Sequence, residues 1–179
     1  VRLTLAAEKM MEPETLPDNA ASPWFALYVK PRHEKNVACI LRGNGYDEFV
    51  PLYNRRTPSR TTELPLFPSY VFCRFDENRR LPVLKVPGVL SIVELGGRLA
   101  RVAEDEIAAL KRVIAAGIAR EPWLALTAGA KVRIAAGPLQ GIEGVVVAHK
   151  NSARLIVSVD LLRRSVAVEL DRQWLEQPA

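Results

Sequence analysis

The sequence predicts an α+β protein in two parts, a strand-and-helix N-terminal domain followed by a small β-barrel. Aromatic and β-branched runs of strand length recur through the first hundred residues. Two stretches, 33–42 and 104–114, instead repeat apolar residues at helical spacing. Beyond Pro122 only short β runs remain, broken by Gly-Pro and polar turns.

In chain order, residues 1–23 mix Met, Glu, Pro, Asp, Asn and Ser without periodicity and read as a flexible leader. Trp24-Phe25-Ala26-Leu27-Tyr28-Val29, closed by Pro31, suits a buried strand. Val37, Ile40 and Leu41 keep i, i+3, i+4 spacing and predict a helix stopped by Gly43 or Gly45, with His33 in its first turn. Phe49 to Tyr53 reads as a second strand and Ser69 to Phe75 as a third. Between them lies a polar arm of hairpin length, 54–63. Val86-Pro87-Gly88-Val89 predicts a turn, and Leu90 to Val93 a short strand. Glu104-Asp105-Glu106 opens a helix with Ile107, Leu110 and Ile114 on one face and Lys111 and Arg112 near its end, which suits the helix dipole. The expected divisions are 24–116 for the first domain, 117–123 for a linker and 124–179 for the barrel. The barrel strands are expected at 131–134, 144–148, 155–159 and 164–170.

Composition narrows the function classes. With 49% hydrophobic and 25% charged residues the 179-residue chain is of ordinary globular type. No apolar stretch nears the roughly 20 residues of a membrane helix, so no membrane association is expected and the cytoplasm is the expected location. Two cysteines without a CxxC and two histidines make two reduced core thiols the expectation, with Cys39 on the core side of its helix, and no metal. The serines lack a nucleophile-elbow context, no Walker or GxGxxG loop is present, and catalytic residues and cofactors are expected to be absent. The net charge of +5 is uneven: residues 24–116 hold 15 basic and 10 acidic residues, net +5, against −2 before them and +2 after. A basic middle segment attracts polyanions without proving that one binds.

Three motifs stand out. Leu64-Pro65-Leu66-Phe67-Pro68-Ser69-Tyr70 places two prolines around two large apolar residues at a strand entry. Its rings are either core or an exposed apolar anchor, since rigid aromatics are common interface hot spots. Arg55, Arg56 and Arg60 on the arm, with Arg79 and Arg80 beyond it, form either a solvated face or a phosphate contact. In 129–146, a strand, a Gly-Pro turn, Gly141, Gly144 and a second strand place glycines where a backbone angle or a close approach can demand them.

In this order the segments resemble the NusG family of transcription elongation factors. The resemblance rests on Trp24 to Val29, Glu34-Lys35, Val50-Pro51 and Phe67-Pro68-Ser69-Tyr70-Val71-Phe72. In the C-terminal part it rests on 129–146, similar to a KOW motif, and on 154–159 and 165–170. It implies an N-terminal NGN α/β sandwich with an antiparallel sheet and flanking helices, linked to an SH3-like KOW barrel. It further implies a monomeric, non-enzymatic elongation or antitermination factor that docks the clamp helices of RNA polymerase. Trp24, Pro51, Phe67, Pro68 and Tyr70 would form or support the docking surface. Arg55, Arg56 and Arg60 would lie near nontemplate or upstream DNA, and Leu162 and Arg164 would meet Rho or a small-subunit ribosomal protein.

Two positions depart from the family pattern. Ser69 stands where Gly is common, and Leu162 stands where an aromatic residue often precedes Gly-Arg. Both are similar to specialised antiterminators of the RfaH/UpxY type, while a general factor stays open. A ribosome- or RNA-binding KOW protein is the alternative function. The β-branched strands of the barrel argue against the helical refolding of some specialised members.

Overall fold

The computed structural model describes residues 22–118, 120–123, 130–149, 152–159, 162 and 164–170. The expected leader falls outside these except for Ser22 and Pro23, and residues 119 and 124–129 also fall outside.

The N-terminal sheet is built around β1 (Trp24–Val29), five of whose six residues are buried. On one side it pairs antiparallel with β5 (Tyr70–Arg74), in register from Trp24 with Arg74 to Tyr28 with Tyr70. On the other it pairs with β6 (Val89–Ile92) and β9 (Arg101–Val102). The short β2 (Glu48–Phe49) adds to the far side of β5.

The alternation of a strand explains why nearly all of β1 is apolar. Phe25, Leu27 and Val29 pack with Val37, Ala38 and Leu41 of α1 (Glu34–Gly43). Trp24 and Ala26 point the other way, into a cluster with Ile107, Leu110 and Val113 of α3 (Glu104–Ala115). The sheet is therefore covered by a helix on each face. Between these elements lie a 3-10 turn (Glu77–Arg79), α2 (Leu81–Leu84) and a small hairpin of β7 (Glu94–Leu95) and β8 (Arg98–Leu99).

Three expectations change in detail. The α1 stripe runs through positions 34, 37, 38 and 41, so Cys39 lies outside it and is exposed, not in the core; Cys73 is the buried thiol. The single strand expected at 49–53 is divided at Val50-Pro51. Pro51 has no N–H for a ladder, and its carbonyl instead accepts from the Leu66 N–H at 2.8 Å. Beyond it the polar arm forms its own hairpin, β3 (Leu52–Thr57) against β4 (Arg60–Pro65). On α3 the buried stripe is Ile107, Leu110 and Val113, with Ile114 half-buried.

The C-terminal part is a five-stranded antiparallel sheet in the order β10-β14-β13-β12-β11. Its strands are β10 (Arg120–Trp123), β11 (Ala130–Arg133), β12 (Glu143–His149), β13 (Ser152–Val159) and β14 (Arg164–Leu170). Residues 120–123, placed by the sequence in a linker, pair with β14 from Arg120 with Val168 to Trp123 with Ser165. The glycines of 137–144 have distinct uses. Gly141 takes a φ of 80° that favours glycine. Gly144 makes room instead: a Cβ there would sit 2.6 Å from the Ile156 carbonyl oxygen and 2.8 Å from Leu155 Cδ1.

The two parts share one core. Trp24, Phe67, Phe72 and the buried face of α3 belong to the same apolar cluster as Ile134, Leu139, Leu155, Val157 and Val166 of the C-terminal sheet. The helix α3 packs against β13.

Candidate functional site

The segment 66–70 joins the basic hairpin to β5 through a turn, in which the Tyr70 N–H donates to the Phe67 carbonyl at 3.1 Å. Phe67 is 1% exposed and meets Phe72 edge to face, with ring centroids 5.8 Å apart. Trp24, 2% exposed, lies in the same cluster. Two cations lie over its ring, the Lys111 Nζ at 4.6 Å and the Arg74 guanidinium at 4.9 Å from the centroid. Its buried Nε1 finds no acceptor among the described residues. Pro68 is exposed, and Pro51 is buried below the hairpin root.

Ser69 adopts a φ of 68°, a left-handed conformation that is uncommon for a residue with a side chain. A charged group from another element steadies it. The Ser69 N–H donates to the Glu34 carboxylate at 2.8 Å, and Glu34 is buried at the start of α1. The Glu34 side chain thus ties the helix to the turn that presents Phe67, Pro68 and Tyr70.

Tyr70 is half-buried, and its ring lies 5.6 Å from that of Tyr28. The Arg164 guanidinium from β14 covers it at 5.2 Å. Leu162, half-buried, packs against the cluster that holds Trp24 and Phe67. The structure therefore brings together two residue sets that the family resemblance assigns to different partners. Arg164 lies over the Tyr70 ring, and Leu162 packs against the cluster that holds Trp24 and Phe67.

Arg55, Arg56 and Arg60 stand apart, all exposed on the β3–β4 hairpin. Successive strand residues point to opposite faces, so Arg55 and Arg56 put charge on both sides of the arm. The hairpin's acidic residue, Glu63, is paired with Lys35 of α1 at 2.6 Å, which leaves the tip strongly basic.

Two arginines that the sequence did not single out link the parts. Arg112 of α3 donates to the Gln140 carbonyl. Arg120 of β10 donates to the Leu52 carbonyl at 3.1 Å, at the hairpin root, and to the Ile118 carbonyl at 3.2 Å. Burial lowers the Arg120 pKa from the ordinary guanidinium value, which still leaves it a cation at neutral pH. No side-chain pattern announces such contacts, because the acceptors are backbone carbonyls.

Among the described residues no group of three or more His, Cys, Asp and Glu could hold a metal ion. No helix among them is long and apolar enough to cross a membrane. The arrangement offers apolar rings, a basic arm and paired surfaces.

Residues 22–111, half of the 179-residue chain, match the family model described as transcription termination factor nusG. The chain belongs to the NusG family. Its members are transcription factors that work with RNA polymerase. A structure of Thermotoga maritima NusG, described for its domain interaction, matches this NusG-family chain with 20% identity and a TM-score of 0.56. That match covers 88% of this chain and 98% of the other, and it shows the fold: an NGN-like sheet-and-helix domain with a KOW-like β part. Chains of the MjSpt4:Spt5 complex also match. Conformation B gives 18% identity, 86% and 95% coverage and a TM-score of 0.31. Conformation A gives 20% identity, 74% and 83% coverage and a TM-score of 0.29. No curated protein matches by sequence.

Proposed function

We propose that this NusG-family protein binds the clamp helices of RNA polymerase through its N-terminal domain and reduces pausing or termination. The KOW part recruits a further partner, Rho or a small-subunit ribosomal protein. The observation that carries the reading is the gathering of Trp24, Phe67 and Tyr70 into one apolar cluster at the entry to β5, in a chain of this family. Of the three, Tyr70 is only half-buried and has surface left to bury, and full burial of a large apolar side chain contributes about 1.5–3 kcal/mol. The exposed hairpin arginines are suited to nontemplate or upstream DNA, where a guanidinium reaches phosphate without a pocket. The left-handed Ser69, in place of glycine, favours a specialised antiterminator over a general factor.

Tyr70 is the residue to test, because Phe67 is packed on Phe72 and its loss would disturb folding. Tyr70→Ala should weaken binding to core RNA polymerase by about tenfold or more. It is best measured in an Arg164→Ala background, where the covering guanidinium is already gone. Unchanged affinity would remove the docking reading. Reversing Arg55 and Arg56 to Glu should weaken attachment to DNA more at low salt than at high salt; equal loss at both would count against phosphate contact.

A further inference from the structure

We infer that Lys35 is a positioning residue for the basic arm: by occupying Glu63 it keeps that carboxylate off Arg56 and leaves the guanidinium to meet phosphate. That the freed guanidinium meets DNA rests on the function proposed above; the choice of partner by Glu63 rests on the ion pair and on the register of the hairpin. The Lys35 Nζ, on α1, lies 2.6 Å from the Glu63 carboxylate on β4. Its neighbour Glu34 holds the Ser69 N–H at 2.8 Å. The first turn of α1 thus grips the chain on both sides of the segment 64–68, and the arm leaves the body from a fixed root.

The hairpin register decides what Glu63 does without Lys35. Asn54 stands opposite Glu63, and Arg56 stands opposite Thr61. Residues directly opposite share a face, as do residues two apart on one strand, so Arg56 and Glu63 are diagonal neighbours on one face. Such neighbours stand about 7–8 Å apart, within reach of two long side chains. Arg55, opposite Thr62, and Arg60, opposite Thr57, lie on the other face, and Glu63 is the only carboxylate between positions 52 and 65. Arg56 is therefore the arm arginine that Glu63 can neutralise. In the structure Glu63 turns instead to Lys35, and among the described residues no ion pair holds Arg56.

The Lys35 and Glu63 side chains are each 52% exposed, so the pair contributes little to folding and is screened by salt. Its effect is on where charge sits. With Glu63 on Lys35 the arm presents three uncompensated guanidinium groups; with Glu63 on Arg56 it presents two, and the freed cation sits on α1 in the body. The net charge is the same in both arrangements, but only the first places it all on the projecting arm.

The test uses the full chain with Lys35→Met, with Lys35→Met and Glu63→Gln combined, and with Lys35→Met in an Arg56→Ala background. The ¹⁵Nε–Hε resonance of Arg56 reads its partner, and fluorescence anisotropy with a fluorescein-labelled DNA duplex reads attachment. Lys35→Met should shift the Arg56 resonance and weaken attachment at low salt by about threefold, the size of one exposed ion pair, with little loss at high salt. Adding Glu63→Gln should return both to the values of the unaltered chain, since the carboxylate that captures Arg56 is gone. With Arg56 already alanine, Lys35→Met should change attachment no further. An Arg56 resonance that Lys35→Met leaves in place overturns the proposal whatever DNA does. So does an equal loss in the Arg56→Ala background, or a combined variant as weak as Lys35→Met, either of which makes Lys35 itself a phosphate contact. If the resonance moves and returns while reversal of Arg55 and Arg56 leaves DNA attachment unchanged, the phosphate reading fails and the exchange of partners by Glu63 stands.

Discussion

Replacing Glu34 with alanine removes the acceptor that holds Ser69 in its left-handed turn. Glu34 is 5% exposed, and its carboxylate accepts the Ser69 N–H at 2.8 Å from 35 residues away in the chain. A hydrogen bond to a charged group contributes about 1.5–3 kcal/mol. Its loss also leaves a residue at φ 68° without its tie, in a region that costs a residue with a side chain about 1 kcal/mol. Releasing a buried carboxylate offsets part of this. A net loss of about 2 kcal/mol remains, or roughly 4–8 °C in Tm for a chain of this size. Glu34→Gln keeps an acceptor oxygen and should cost only about half as much. In a Ser69→Gly background the turn accepts the left-handed conformation by itself, so the two changes should couple by about 0.5–1 kcal/mol. Urea and thermal denaturation followed by circular dichroism measure the unaltered chain and the four variants. If the alanine variant is no less stable than the glutamine variant, or the changes simply add, Glu34 is not what fixes the turn.

Gly144→Ala should destabilise the C-terminal sheet by about 1–3 kcal/mol, because its Cβ would press on the Ile156 carbonyl; Gly43→Ala, with nothing within 4 Å, should be neutral or slightly stabilising. Denaturation midpoints of the pair check the contrast, and equal effects would undo it. With a thiol-specific chromogenic reagent, the exposed Cys39 should react in the native protein and Cys73 only after unfolding; rapid release of two equivalents from folded protein is the contrary result. Burial pushes the Cys73 thiol up, so the native state keeps a proton that the unfolded chain gives away. Its contribution to stability is therefore intact below the unfolded value of about 8.5 and falls as pH rises above it. Between pH 7 and pH 10 the fall in urea midpoint should be smaller for Cys73→Ala than for the unaltered chain.

The strands and helices were legible because they are local. Aromatic and β-branched runs mark β1 and β5, apolar residues at helical spacing mark α1 and α3, and the polar stretch at 54–63 marks the arm that became a hairpin. The phase of a stripe was less legible. Cys39 was expected in the core because its neighbours are apolar, whereas a helix buries only one stripe, here 34, 37, 38 and 41. The Ser69 angle also escaped, since what holds it is a carboxylate on a distant helix. Above all, the family resemblance assigned two residue sets to separate partners. Only the tertiary structure set them against each other, with Arg112, Arg120 and Arg164 at the rim. The physical reason is one of range. Periodicity and turn chemistry are set by residues a few positions apart, whereas burial of one apolar face by another depends on positions far apart in the chain and leaves no local pattern to read.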